Sequence, residues 1–381
     1  MTGQRRRRIT LSGYYGFKNA GDEAVLAGLI KALRAQPGGD DLDIDVLSID
    51  PAETASTHGV GASHRYRLGP LLRSLSRTDL LLSGGGSLLQ DVTSAHGIYY
   101  YALVVRLAQM LGKKTMFIAQ GVGPLNLPRS RKLVAGVANR LDAVTVRDPQ
   151  SLELLKEIGV TRPSMEVTAD PALLLPDLQE TKTSPQPSPW KGEGAREEWE
   201  SEPASGKILV SLRPWHTGGD DLTNALVDAV RALEPGSVET LSMQPQSDDL
   251  VMAGFAKRCT EMGGPAVSTA AQADNIDRLP AIIDALSNAE LVVGMRLHAL
   301  ILAAGAGVPS VALSYDPKVA AFMKFSGQED AVVDVGSTAD LQSILVNVWN
   351  TRRERAARLR ERLPAMRAAA LRNAEIACSL L

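Results

Sequence analysis

The sequence predicts an α/β protein built from two doubly wound domains with a cleft between them. Three observations carry this. Short apolar runs alternate with longer amphipathic ones along most of the chain, the pattern of βαβ units around a mostly parallel sheet. At 381 residues the chain exceeds the roughly 250–300 that one hydrophobic core sustains. The alternation is broken once, between Asp177 and Gly206. The polar segment there includes Thr183-Ser184-Pro185-Gln186-Pro187-Ser188-Pro189, which supports neither a helix nor a central strand.

In the first part, short apolar runs predict strands at Ile9–Ser12, Ile44–Ile49, Asp79–Ser83, Thr115–Ala119, Ala143–Val146 and Met165–Thr168. Amphipathic stretches at 22–35, 97–111, 129–140 and 149–158 predict the helices between them. Together they make one domain over residues 1–176. Residues 177–206 read as a flexible proline-rich linker or insertion. Beyond it, strands are predicted at Ile208–Leu212, Val238–Met243, Leu291–Val293 and Ser310–Leu313, with helices near 221–233, 248–260, 279–287, 298–305 and 316–324. These form a second domain over 207–337. An Arg/Ala/Leu-rich stretch at 338–381 predicts one long final helix. Both domains are then Rossmann-like, and a ligand is expected in the groove between them.

Bulk properties exclude several classes. Hydrophobic content of 44% with 22% charged residues is that of an ordinary soluble globular protein. A formal net charge of −2 points away from nucleic acid as a partner. No apolar run approaches the roughly 20 residues that span a bilayer. Arg5-Arg6-Arg7-Arg8 leads into Ile9-Thr10-Leu11 instead of a signal core, so a cytoplasmic location is expected, with at most a peripheral contact at the inner face of the membrane. Two cysteines, Cys259 and Cys378, fit a reducing compartment, and the five histidines show no metal-ligand spacing, so no dedicated zinc site is expected, a loosely held divalent cation staying open.

Candidate chemistry lies where strands end. Gly294-Met295-Arg296-Leu297-His298 sets an arginine and a histidine between an apolar strand and an apolar helix. The free N–H groups and positive dipole of a helix start suit an anion, so Arg296 and His298 read as an anion and proton-transfer site. The competing reading is that His298 caps its helix and Arg296 pairs with a nearby acid. After the first strand, Asn19, Asp22 and Glu23 are polar groups at the crevice end of the sheet, and Asp22 is also a natural helix cap. Gly84-Gly85-Gly86 follows another strand, either as a row of N–H groups for an anion or as a tight turn. Arg147, Arg213 and Lys318 end three further strands, and cations from separate strand ends suit a substrate bearing both phosphate and carboxylate. Arg147 pairing with Asp148 and Lys318 as a solvated lysine are the plainer readings.

Five segments together resemble the polysaccharide pyruvyl transferase family, in particular its bacterial branch acting on cell-wall polymers or exopolysaccharides, often linked to S-layer anchoring. They are GYYGFKNAGDEAVL at 13–26, LLSGGGSLLQD at 81–91, FIAQGVGPL at 117–125, VTVRD at 144–148 and GMRLHALILAAGAGVPSVALSYDPKV at 294–319. The resemblance implies a glycosyltransferase-B-like architecture, with residues 1–176 as the acceptor side and 207–337 as the donor side, using phosphoenolpyruvate as donor substrate and no cofactor. It implies a lipid-linked or polymeric glycan acceptor, such as β-linked N-acetylmannosamine, and a 4,6-ketal product with release of phosphate. On that reading Arg147, Arg296, Lys318 and Arg213, with Gly84, Gly85, Gly86 and Asn19, hold the donor, His298 is the general acid, and Asp22 or Glu23 is the base. The alternatives are a nucleotide-sugar glycosyltransferase of the same shape and a non-catalytic anion- or carbohydrate-binding protein. Gly294 to Tyr315 holds no acid to grip a nucleotide sugar, which favours a small anionic donor.

Overall fold

The computed structural model describes residues 6–92, 95–176, 206–215, 219–271 and 278–381. The predicted linker at 177–206 lies outside them except for Gly206. The first sheet has seven parallel strands: β1 (Arg8–Tyr15), β2 (Asp43–Ser48), β3 (Gly61–His64), β4 (Leu80–Gly84), β5 (Lys114–Gln120), β6 (Ala143–Val146) and β7 (Ser164–Val167). Their order is β3-β2-β1-β4-β5-β6-β7. Six helices connect them: α1 (Ala20–Arg34), α2 (Pro51–His58), α3 (Leu68–Arg77), α4 (Ala95–Met110), α5 (Pro128–Ala138) and α6 (Pro149–Glu157).

The second sheet has six parallel strands: β8 (Lys207–Ser211), β9 (Ser237–Thr240), β10 (Val267–Thr269), β11 (Leu291–Gly294), β12 (Ser310–Ser314) and β13 (Val332–Asp334), in the order β10-β9-β8-β11-β12-β13. Its connecting helices are α7 (Gly219–Arg231), α8 (Pro245–Glu261), α9 (Arg278–Ser287), α10 (Leu297–Gly305) and α11 (Pro317–Ser326). In each sheet the winding reverses beside the first strand, between β1 and β4 and between β8 and β11. The crevice past the carboxyl ends of the strands at such a switch point is where these sheets bind ligands. Strands β4 and β11 are buried throughout, so they read as unbroken apolar runs and not as alternating ones.

Local chemistry sets many of the helix starts. Asp50-Pro51, Asp148-Pro149, Asp170-Pro171 and Asp316-Pro317 all use the aspartate side chain to accept a backbone N–H of the following turn. Proline then supplies a preset φ where no N–H is needed. Asp148 is thereby spent on Ser151, at 2.7 Å from its N–H, and is not the partner of Arg147.

The elements absent from the predicted set are short, lack an apolar stripe, or, in the case of α3, carry a stripe (Leu71 and Leu75) that the prediction passes over between two strands. Edge strands β3, β10 and β13 have three or four residues each, and α2 buries only Thr54. The predicted final helix is two helices, α12 (Leu341–Asn350) and α13 (Arg352–Ser379), broken at Thr351. The break lets α12 pack on α7 of the second domain while α13 runs along the junction of both. A one-residue interruption leaves composition and periodicity almost unchanged.

That junction is where the core is continuous. The turn Pro171–Leu174 packs against α1, α10 and α13, and one apolar cluster runs through it from the first domain into the second. Near the carboxyl end of α13, fully buried Asn373 accepts the hydroxyls of Thr145 at 2.6 Å and Thr168 at 2.8 Å, and donates to Ala169 O at 2.9 Å and Ala370 O at 3.0 Å. Replacing it removes the acceptor of both hydroxyls and the side-chain donor to Ala169 O, while Thr145 Oγ1 keeps the Ala119 N–H at 2.8 Å and Thr168 Oγ1 keeps Val146 O at 3.3 Å; each buried group left short of a partner costs about 1–3 kcal/mol before relaxation. We expect Asn373→Ala to cost about 3 kcal/mol in urea unfolding; a loss below about 0.5 kcal/mol would show that the clamp does not hold.

Candidate active site

Two helix starts from opposite domains meet in the cleft. Helix α1 begins after the glycine-bearing loop that follows β1, and α10 begins after β11. Sequence reasoning puts Asp22 at the cap of α1. The structure gives the cap to Asn19, whose side-chain oxygen accepts the Gly21 N–H at 3.0 Å, and leaves Asp22 in the first turn. Gly21 is required there by its neighbour across the cleft: a Cβ on it would lie 2.3 Å from Nδ1 of His298. The imidazole, in the first turn of α10, thus rests on the backbone of α1, between two positive dipole ends.

Around it a charge cluster closes. Arg147, at the end of β6, is almost fully buried and donates to Asp170 Oδ2 at 2.6 Å and to Ser87 Oγ at 2.7 Å. Its Nη1 is 3.5 Å from His298 Nε2, which lies 3.6 Å from the same Asp170 oxygen. Asp22 Oδ1 faces the Cα of Gly86, where a Cβ would stand 3.1 Å away. Lys318, in the first turn of α11, reaches across the cleft and donates to the carbonyl of Gly123.

The two carboxylates are driven in opposite directions. Burial pushes Asp22 up to about 6, with the negative charges of Glu23 and Asp170 adding to it, against the pull of His298 and Arg147. Burial also acts to raise Asp170, but its hydrogen bond with His298 and the charge of Arg147 win and hold it at about 2. Burial and the repulsion of Arg147 bring Lys318 down to about 8. A carboxyl near neutrality, an imidazole and a lysine in one cleft are groups able to move protons, and the arginine and helix starts are groups able to hold an anion.

Not every expected residue joins this cluster. Glu23 is taken by Gly16 N–H at 2.8 Å and by His58 Nε2 at 3.0 Å. Arg296 follows the plainer of its two readings: it forks onto the fully buried Asp248, with Nε 3.1 Å from Oδ2, and also donates to Ser247 Oγ at 2.8 Å. Arg213 donates to the Tyr315 hydroxyl at 2.9 Å, stacks 4.7 Å from that ring, and lines a separate cavity beside α7 and α8. The glycine triplet is mainly a packing device. A Cβ on Gly84 would meet Ile118 O at 2.1 Å, and the Gly85 N–H is spent on that carbonyl at 2.8 Å, so only Gly86 borders the cluster.

Two members escape sequence reasoning. Asp170 looks like any of the four Asp-Pro caps. Its second oxygen, turned to Arg147 and His298, is what sets it apart. Ser87 lies inside the glycine motif but shows no pattern of its own. Beside the cluster, a cavity of about 1140 Å³ opens between the domains, lined by Ala20 and Glu23 of α1, His58 of α2, and Asp249 and Arg278 of the second domain. Among the described residues no group of three His, Cys, Asp or Glu is placed to hold a metal ion.

Two Rossmann-like domains with such a cleft define a glycosyltransferase-B-like fold, here with a buried cluster of carboxylates, an arginine and an imidazole at the cleft. HepE of Anabaena with UDP superposes with a TM-score of 0.62 at 13% identity, covering 98% of this chain and 99% of that one. The UDP-GlcNAc 2-epimerase of Neisseria meningitidis bound to UDP-GlcNAc gives 0.60 at 12% identity, covering 98% and 99%. At these identities the likeness is one of fold. Residues 19–317 match the family described as Polysaccharide pyruvyl transferase, and the chain belongs to that family. It is also 22% identical over 394 aligned positions, 87% of this chain and 89% of the relative, to the amylovoran biosynthesis protein AmsJ of Erwinia amylovora. The protein is a polysaccharide pyruvyltransferase.

The raised Asp22 has a cost in stability. Below its ordinary value of 3.8 the carboxyl is protonated folded and unfolded alike. Between 3.8 and about 6 only the unfolded chain ionises, so stability falls as pH rises, and above about 6 the full cost stands. Asp22→Asn should therefore stabilise the fold by about 2 kcal/mol at pH 7.5, with no gain at pH 3.5. Unfolding midpoints at the two pH values measure this; an equal effect at both would remove the case for a destabilised carboxyl.

Proposed function

We propose that this protein transfers pyruvate from phosphoenolpyruvate to two hydroxyls of one sugar in a cell-wall or exopolysaccharide precursor, releasing phosphate. The observation that carries the reading is the meeting of His298 and Arg147, from opposite domains, 3.5 Å apart at two helix starts and beside Asp22. The family supports the transfer of a pyruvyl group, and the likeness to a protein of amylovoran biosynthesis supports a polysaccharide as acceptor.

The chemistry follows from the side chains. Arg147 and Lys318, with the N–H groups opening α1 and α10, hold the donor's phosphate and carboxylate. His298 gives its proton to the methylene carbon, which becomes a methyl group, and positive charge builds on the adjacent carbon. A sugar hydroxyl attacks that carbon and passes its proton to Asp22, the candidate base left available when Glu23 is bound to His58. The second hydroxyl then displaces phosphate, which leaves with the remaining proton, and the ketal ring closes. Asp170 keeps the imidazole and guanidinium aligned, and Arg296, fixed on Asp248, braces the start of α10. The adjoining cavity has room for the sugar, with β-N-acetylmannosamine as the first acceptor to try.

Incubation with phosphoenolpyruvate and candidate mannosaminyl acceptors should release phosphate and give a product heavier by pyruvate less one water. A need for a nucleotide sugar in place of phosphoenolpyruvate would sink the reading. A positioned proton donor contributes about 10²–10⁴-fold, so His298→Ala should lower kcat by that order with donor binding little changed; full turnover in that variant would falsify the assignment. Lys318 is cationic below about 8 and neutral above it. Phosphoenolpyruvate binding should therefore weaken by up to about tenfold as pH rises from one unit below that value to one above. Lys318→Met should flatten this limb, and an unchanged profile would remove Lys318 from the donor site.

A further inference from the structure

One face of the first domain is unlike the rest of the molecule. Residues 54–78 and 92–141 contain four and seven Lys or Arg residues, and no Asp or Glu at all, in a chain whose formal net charge is −2. These segments supply α3, with Arg73 and Arg77, and α4, with Arg106, the other basic residues lying on β5, α5 and the adjoining loops; the two helices pack side by side, with Tyr66 and Tyr100 in edge contact at 5.1 Å. The inner sides of the two helices fill the second apolar cluster through Leu71, Leu75, Ile98, Val104 and Val105. Their outer sides are also apolar. On α3, Leu68 and Leu72 are 66% and 38% exposed one turn apart. On α4, Tyr99, Leu103 and Met110 are 42%, 54% and 64% exposed along one helical stripe that also carries Arg106.

We propose that the α3–α4 face docks on an anionic membrane surface. Large apolar side chains on the outside of helices, interleaved with arginine and free of acid, are the composition of an interfacial element. Of the exposed apolar side chains Leu68, Leu72, Tyr99, Leu103 and Met110, only the tyrosine is aromatic, which suits an acyl boundary better than stacked bases. Among the described residues no helix is long and apolar enough to cross a membrane, so the contact is with its surface. The face is tied to the cleft through Arg65, which lies at the base of α3. Its side chain sits 4.4 Å from the Tyr100 ring and donates to Gly13 O at 2.7 Å, in the strand that leads to α1. A membrane-held glycan would then be presented on the domain that carries Asp22. The docking itself does not depend on the reaction proposed above.

Vesicle sedimentation with the full chain tests it. The protein should pellet with vesicles of phosphatidylcholine and phosphatidylglycerol at about 3:1 and far less with phosphatidylcholine alone, each basic group near the surface being worth about fivefold in partitioning. Leu68→Glu/Leu103→Glu should lower the partition by at least about tenfold while leaving phosphate release with a soluble acceptor unchanged. Arg5→Ala/Arg6→Ala/Arg7→Ala should still bind. No binding to either vesicle overturns the proposal, as does loss of binding in the tail variant with retention in the face variant. A dimer in solution that the Leu68/Leu103 variant abolishes would make a second copy the occupant and overturn it equally.

Discussion

The structure depends on one close approach, that of the His298 imidazole to the backbone of Gly21. Everything chemical in the cleft requires the first turn of α10 to stand against the first turn of α1, and a single methyl group at position 21 would forbid it. The approach brings two positive helix ends together, which is costly unless negative charge lies between them. Asp22 and Asp170 supply that charge in the protein itself.

The same crowding separates the two carboxyls. Asp170 has a guanidinium at 2.6 Å and an imidazole close by, so its charged form is favoured even when buried. Asp22 meets the same cations more distantly and meets two other acids as well, so burial dominates. Divergence of this kind leaves one carboxyl a fixed counter-charge and the other poised near neutrality. Arg147 is the hinge of the arrangement, because it touches a hydroxyl from the β4 loop, an acid from the β7 loop and the histidine of the other domain.

Such geometry needs domains held in register. The Pro171–Leu174 turn lies between α1 and α10 and directly follows Asp170, so the residue that orients the imidazole is anchored in the junction core. Helix α13 reinforces this from behind. Arg355 near its start pairs with Asp330 of the second domain, and Asn373 near its end is locked into the first. Binding energy at the cleft is therefore opposed by little domain rearrangement at its back.

How much of this was legible before folding follows from the range of each interaction. Alternating apolar runs, the Asp-Pro helix starts and the polar groups at strand ends are local, and they define the two doubly wound domains and place Asp22, Arg147, His298 and Lys318 at one crevice. Short edge strands carry too little periodic signal, and the break at Thr351 changes none of it. Pairing across the cleft is not local at all. Nothing near Arg296 in the chain says that Asp248 will claim it, nothing near Glu23 announces His58, and Asp170 is written like three other caps. The sequence by itself determined the architecture, the family and the set of groups available for chemistry, because these rest on spacing within a few residues. Only the tertiary structure decided which of those groups meet and which are spent elsewhere, because charge and burial act through space between segments 35 to 151 residues apart.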